Sequence, residues 1–225
     1  MIDWQAMELT LELALIVAGA LLLLGLPVAW WITFSKWRAK FLVEALVGLP
    51  LILPPTVLGF YFLIAFGSQS SFGRWWQSMT GHTLAFSFGG LVVGSILYSF
   101  PFAVQPFAAS FAAVDRDLLA ASAMLGASGW RTFWRVVMPL SVPGLVTGLV
   151  LTFAHTVGEF GVVLMIGGNI PGVTRTISID IYDRVQAGEY SSANHTALIL
   201  LAFSFVILAL VYGLNRKIWA VYPFK

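Results

Sequence analysis

Apolar residues in this chain do not alternate with polar ones; they occupy consecutive positions, as in residues 21–24, and the runs are long. About 20 apolar residues in a helix rising roughly 1.5 Å per residue cross a hydrocarbon layer of about 30 Å. Stretches of that kind lie at 9–34, 41–66, 84–111, 142–166 and 196–214. Barrel strands would be shorter and would alternate apolar with polar positions. The pattern therefore predicts a single all-α membrane domain, 1–225, with five transmembrane helices.

Composition sharpens that reading. Of the 225 residues 59% are hydrophobic and 10% charged, against about 25% charged in a soluble domain. Twelve Lys and Arg with ten Asp and Glu cannot cover a water-facing shell. The net charge of +2 comes from scattered single residues, so no basic stripe invites nucleic acid. Cysteine is absent, which removes disulfides and thiol chemistry. The run starting near Leu9 is too long for a signal-peptide core and reads as a retained span.

Charge also sets the expected direction, because cytoplasmic loops keep Lys and Arg. Lys36, Arg38, Lys40, Arg116, Arg131, Arg135, Arg216, Lys217 and Lys225 fall on one side, and only Arg74, Arg175 and Arg184 on the other. The N-terminus is then outside, the C-terminus inside, and the 112–139 loop cytoplasmic. Trp30, Trp31, Trp37, Trp75, Trp76 and Trp219 fall near the expected membrane boundaries, as interfacial anchors do. Pro27, Pro50, Pro54, Pro55, Pro101, Pro106 and Pro143 interrupt helical hydrogen bonding, which favours a bundle enclosing a path.

The 112–139 loop is too apolar for a tether. Asp115 or Asp117 starts a helix, Gly126 and Gly129 interrupt, and a second helix runs from Trp130 to Met138 until Pro139. Leu118, Leu119, Met124, Leu125, Trp130, Phe133 and Trp134 suit docking on another surface, its own bundle and the lipid interface included. Ala121-Ser122, Gly126-Ala127 and Val136-Val137-Met138-Pro139 resemble the cytoplasmic signature of ATP-binding-cassette (ABC) importer permeases, Glu-Ala-Ala, three residues, Gly, nine residues, Ile-x-Leu-Pro. The chain departs at the acidic position, where Leu119 and Ala120 stand. Residues 153–161, residues 168–177 and Leu49-Pro50-Leu51-Ile52-Leu53-Pro54-Pro55 are similar to the molybdate branch of the oxyanion permeases, in which His155 is commonly Arg.

That resemblance implies a type I ABC importer permease fold in the bacterial inner membrane, importing molybdate or tungstate as a homodimer. It implies two copies of a cytoplasmic ATPase subunit seated on a coupling helix at Ala121, Ser122, Gly126, Ala127 and Pro139, and an extracytoplasmic binding protein that delivers the anion. The chain holds no Gly-Lys pair and so no Walker A loop, which leaves ATP hydrolysis to that partner; no catalytic residue or cofactor is expected here.

A transient, hydrated path is expected, lined by Pro54 and Pro55 on one wall and Thr147, Thr152, Thr156 and Gly158 on the other. His155 and Glu159, one helical turn apart, are a path or gate pair. A carboxylate repels a dianion, so Glu159 suits a gate or packing contact better than a ligand. His-x-x-x-Glu is a weak metal signal without a third ligand. Asn169 and Arg175 mark the outer mouth, where a cation and turn amides attract an anion or seat another protein. Other open readings are a sulfate or thiosulfate or other oxyanion permease and an ion-coupled secondary transporter or channel; for an intramembrane hydrolase Ser95, Ser99, Ser204 and His155 exist, but no motif joins them.

Overall fold

The computed structural model describes residues 2–221, with side chains up to residue 213. The charges of Arg216, Lys217 and Lys225, and the ring of Trp219, lie outside the described residues. Helix α1 (Trp4–Phe34) starts five residues before the expected span, because the Asp3 carboxylate accepts the Ala6 N–H at 3.0 Å and caps it. Its buried stripe passes through Leu13, Val17 and Leu21, four residues apart, and packs on α5 (Phe88–Ala112).

The second expected span is not one helix. It divides into α2 (Lys40–Ile52) and α3 (Pro55–Phe66), bent by 109° at the break. Proline explains the break: Leu53 precedes Pro54 and is extended, and Pro55 has no N–H and opens α3 at a position that needs none. Four described helices are long and apolar enough to cross a membrane, and the number is five if the bent pair is one span. After α3 comes the short α4 (Ser71–Thr80), and α5 begins at Phe88, later than expected, where Ser87 caps the Gly90 N–H at 3.1 Å.

The 112–139 segment holds α6 (Arg116–Met124) and α7 (Gly129–Thr132), capped by Asp115 and Ser128. Gly126 turns the chain between them at φ +74°. Pro139 does not end the second helix as expected. A π turn at Phe133–Val137, in which Met138 N–H reaches back to the Phe133 carbonyl, carries α7 directly into α8 (Met138–Gly158). The widened turn shifts the hydrogen-bond register just before a residue that has no N–H to offer.

The expected fourth span also breaks. Helix α8 stops at Gly158, Glu159 is extended, and α9 (Gly161–Gly167) follows; α10 (Ile177–Gln186) and α11 (Tyr190–Val221) complete the chain. Helices α1, α5 and α8 form the centre around Phe107, which is fully buried. Glycine makes that approach possible: a Cβ on Gly148 would lie 2.6 Å from the Phe107 ring. Trp30 packs on Phe34, Phe111 and Phe133. Helix α11 lies at the edge, against α10 and α8, with most of its surface uncovered.

Candidate functional site

The breaks in the two interrupted spans meet. Pro55 at the start of α3 lies against Gly161 at the start of α9, and Gly59 lies against Val162 and Met165. Glu159 therefore does not share a helical face with His155, as its spacing suggested, because α8 has ended before it. Its Oε1 accepts the Val162 N–H at 2.8 Å, serving an amide that the first turn of α9 cannot pair by itself. The Glu159 side chain is 5% exposed, and Gly158 beside it is open.

His155 sits one turn before the end of α8. Its Nδ1 is 3.0 Å from Ser99 Oγ on α5, and its ring stacks on Phe102 with centroids 3.9 Å apart and leans on Tyr98 at 4.9 Å. Ser99 Oγ is also 3.2 Å from Thr156 Oγ1, and Thr156 donates to the Thr152 carbonyl at 2.9 Å. Thr152 donates in turn to the Gly148 carbonyl at 2.8 Å. Thr152 and Thr156 are buried between α8 and its neighbours within this one subunit. Spacing in the sequence gave no sign of the Ser99 to His155 contact, since it joins residues 56 apart. Its distance suits a nucleophile and base, but Ser99 is fully buried and shared with Thr156, which leaves no room for a substrate carbonyl.

Beside this cluster, a cleft of about 340 Å³ is lined by Leu51, Pro101, Phe102, Gln105, Pro106, Ala109 and Leu151. It is formed by α2, α5 and α8, and Gln105 is its polar lining side chain. Pro54 and Pro55 are exposed at the bend just beyond Leu51.

At the other end of α9 the chain turns through Gly168, Asn169 and Gly172. Arg175 Nε donates to Asn169 Oδ1 at 2.6 Å, and its guanidinium lies 3.6 Å from Asp183. The amides of Val173, Thr174 and Arg175 all point to the Ile170 carbonyl, so those turn amides are not available to an anion as expected. Arg184 donates to Asp180 at 2.7 Å, and that hydrogen bond holds its pKa above the usual value. Among the described residues no group of three His, Cys, Asp or Glu side chains is placed to hold a metal.

In the α6–α7 segment, Ala121 and Gly126 are exposed, Ser122 is tied to Thr132 at 2.8 Å, and Ala127 is half-buried. Met124, Leu125 and Trp130 project from this segment largely uncovered, and Pro139 is exposed at the start of α8.

Residues 21–220 match the family described as binding-protein-dependent transport system inner membrane components. The chain belongs to that family. Among curated relatives of this inner membrane component, the molybdenum transport system permease protein ModB of Azotobacter vinelandii is 48% identical over 214 residues, covering 95% of each chain. The protein of that name in Escherichia coli K12 is 34% identical, with 95% of this chain and 94% of the relative covered. The fold is shared with a chain of the MetNI methionine ABC transporter in inward facing conformations, at a TM-score of 0.75, 17% identity and 94% coverage of both chains. The family member described here is thus an all-helical permease of the inner membrane with the type I ABC importer fold.

Proposed function

We propose that this chain is the membrane-spanning subunit of an ATP-driven importer for molybdate, with tungstate as a near-isosteric second substrate. The observation that carries the reading is the 48% identity to a molybdenum permease along 95% of both chains. Two copies enclose the path, α2 with α3 is counted as one broken span of five, and the N-terminus is outside. An extracytoplasmic binding protein supplies the affinity. Two copies of an ATPase subunit take the α6–α7 segment, centred on Gly126, as their seat.

The division of labour follows from electrostatics. A dianion entering a low-dielectric medium is strongly disfavoured unless donors or water replace its hydration shell. The helix centres supply no Lys or Arg: Arg175 is tied to Asn169 and Asp183 beyond α9, and Arg131 and Arg135 lie at the cytoplasmic start of the α7–α8 rod. A hydrated passage that binds weakly fits those constraints, with Pro54, Pro55, His155, Gly158 and Glu159 at the breaks and Thr152 and Thr156 behind them. Asn169 and Arg175 stand at the outer mouth as an attraction or docking point.

The experiment is uptake of radiolabelled molybdate into proteoliposomes holding the permease with its ATPase, measured with and without the binding protein. Uptake that needs both ATP and the binding protein supports the reading. Molybdate uptake driven by an ion gradient alone, or equilibrium binding of molybdate by permease and ATPase at submicromolar affinity without the binding protein, would overturn it.

A further inference from the structure

Helix α10 begins without a cap of its own. Thr176 stands where a cap belongs, with the extended backbone of one (φ −83°, ψ 166°), yet its side chain caps nothing, and its Oγ1 is buried with no hydrogen-bond partner among the described residues. The first amide of a helix has no partner inside the helix, and Ile177 is fully buried, so bulk water does not serve it either. The partner comes from the other end of the chain. Thr10 Oγ1, on α1, accepts the Ile177 N–H at 2.8 Å and donates its own proton to the Ala6 carbonyl at 2.6 Å. Thr10 is itself fully buried, so this hydroxyl is committed to the two helices alone.

What Thr10 holds is a turn closed on itself. Thr174 Oγ1 donates to the Gly167 carbonyl at 2.7 Å and accepts the Ile170 N–H at 3.2 Å, three amides converge on the Ile170 carbonyl, and Arg175 is fixed to Asn169. A turn bonded in that way is carried as one piece. Helix α1 meets it a second time at Gln5: a Cβ on Gly172 would lie 2.5 Å from Gln5 Nε2. The Asp3 carboxylate that caps α1 also acts on Arg184 in the last turn of α10, so α10 lies back along the outer end of α1, its start at Thr10 and its end towards Asp3. Since α1 packs on α5 and α8 as well, it joins the centre of the bundle to the turn that carries Asn169 and Arg175.

We infer that Thr10 is a positioning residue for the outer mouth: through the Ile177 amide it sets the orientation of the 168–177 turn, and so of Arg175, towards the binding protein. Thr10 is buried and touches no partner protein itself; it acts through the turn. Removing the hydroxyl leaves the Ile177 N–H buried and unpaired, a state relieved only by a shift of α10 and the turn before it. This rests on the reading of the chain as a permease that receives a binding protein at Asn169 and Arg175.

The test uses the complex of permease and ATPase in lipid nanodiscs, with ATP hydrolysis followed as molybdate-loaded binding protein is titrated. Thr10→Val keeps the shape and removes the hydroxyl; it should raise the half-saturating concentration of binding protein about fivefold, about 1 kcal/mol, with the maximal rate unchanged. Thr10→Ser restores the oxygen and should return the wild-type value. Thr176→Val removes the nearby hydroxyl that pairs with nothing, and should match wild type. A second measurement needs no variant: in the wild-type complex, hydrogen exchange read from overlapping fragments should find the Ile177 amide slow, although amides that open a helix ordinarily exchange fast. A fast Ile177 amide, or a Thr10→Val half-saturation equal to wild type while Arg175→Ala raises it, would overturn the inference alone. A half-saturation that Arg175→Ala leaves unchanged would remove the docking point, and this inference with it.

Discussion

Gly161 presses directly on Pro55: a Cβ on the glycine would lie 2.6 Å from the Cβ of the proline. One turn further along α3 the contact recurs, where a Cβ on Gly59 would lie 2.6 Å from that of Met165. The two half-helices beyond the breaks are therefore packed on each other at backbone distance, and each owes its position to the other.

Enlarging either glycine should force α3 and α9 apart. Gly161→Val and Gly59→Leu should each destabilise the subunit by about 1–3 kcal/mol, the usual range for overpacking. The control is Gly48→Ala, whose new Cβ meets nothing nearer than 3.7 Å. Thermal unfolding in detergent would decide, and equal midpoints for all three variants would show that the contact carries no stability.

Gly126 acts through its backbone alone. Its φ is +74° and a Cβ there would meet nothing within 4 Å, so the left-handed conformation, and not crowding, is what a side chain disturbs. Gly126→Val should cost about 1–2 kcal/mol locally and re-aim α6 against α7. The expected outcome is permease present in the membrane with ATP hydrolysis uncoupled from uptake, while Gly126→Asn, which tolerates that conformation, stays coupled. Normal coupling in Gly126→Val would place the ATPase seat elsewhere.

Glu159 should behave as a cap before it behaves as a charge. Glu159→Gln keeps an oxygen for the Val162 N–H, whereas Glu159→Ala orphans a buried amide, a loss of about 0.5–2 kcal/mol by analogy with other caps. Melting temperatures near wild type for Gln and clearly lower for Ala are expected. Equal losses in the two variants would mean that the negative charge itself is required.

Orientation can be read chemically because the chain has no cysteine to remove. Asp3→Cys and Ser78→Cys should react with an impermeant thiol reagent added outside intact cells, and Arg38→Cys and Ser128→Cys should not. Labelling of Ser128→Cys from outside would invert the topology.

The sequence carried the helical class and the approximate limits of the long helices, because apolar length is a local property that lipid enforces directly. It carried the Gly126 turn for the same reason. Breaks were harder. Pro54-Pro55 announced a kink, but its 109° depends on what α3 packs against. Pro139 read as a terminator because proline ordinarily is one, and a π turn before it is a tertiary accommodation. Residues 142–166 read as one span since Gly158 and Glu159 are unremarkable inside an apolar run; only the amide of Val162 explains why the helix stops. Ser99 was one of three serines set beside His155, with no motif to single it out, because nothing local relates two helices separated by α6 and the π turn.

Continuity from Gly129 to Gly158 has a mechanical consequence. Thirty residues at about 1.5 Å each make a rod of roughly 45 Å, and the π turn within it is a change of pitch, not a joint. Its tightest bearing is Gly144 on Ser110, 15 residues from the Gly129 end (144 − 129) and 14 from the Gly158 end (158 − 144). A lateral push on Trp130 and Trp134 therefore swings the far end the opposite way through about the same distance. Ser99 belongs to another helix and does not ride with the rod, so the stroke that tips α8 is also the one that draws the imidazole toward or away from its hydroxyl.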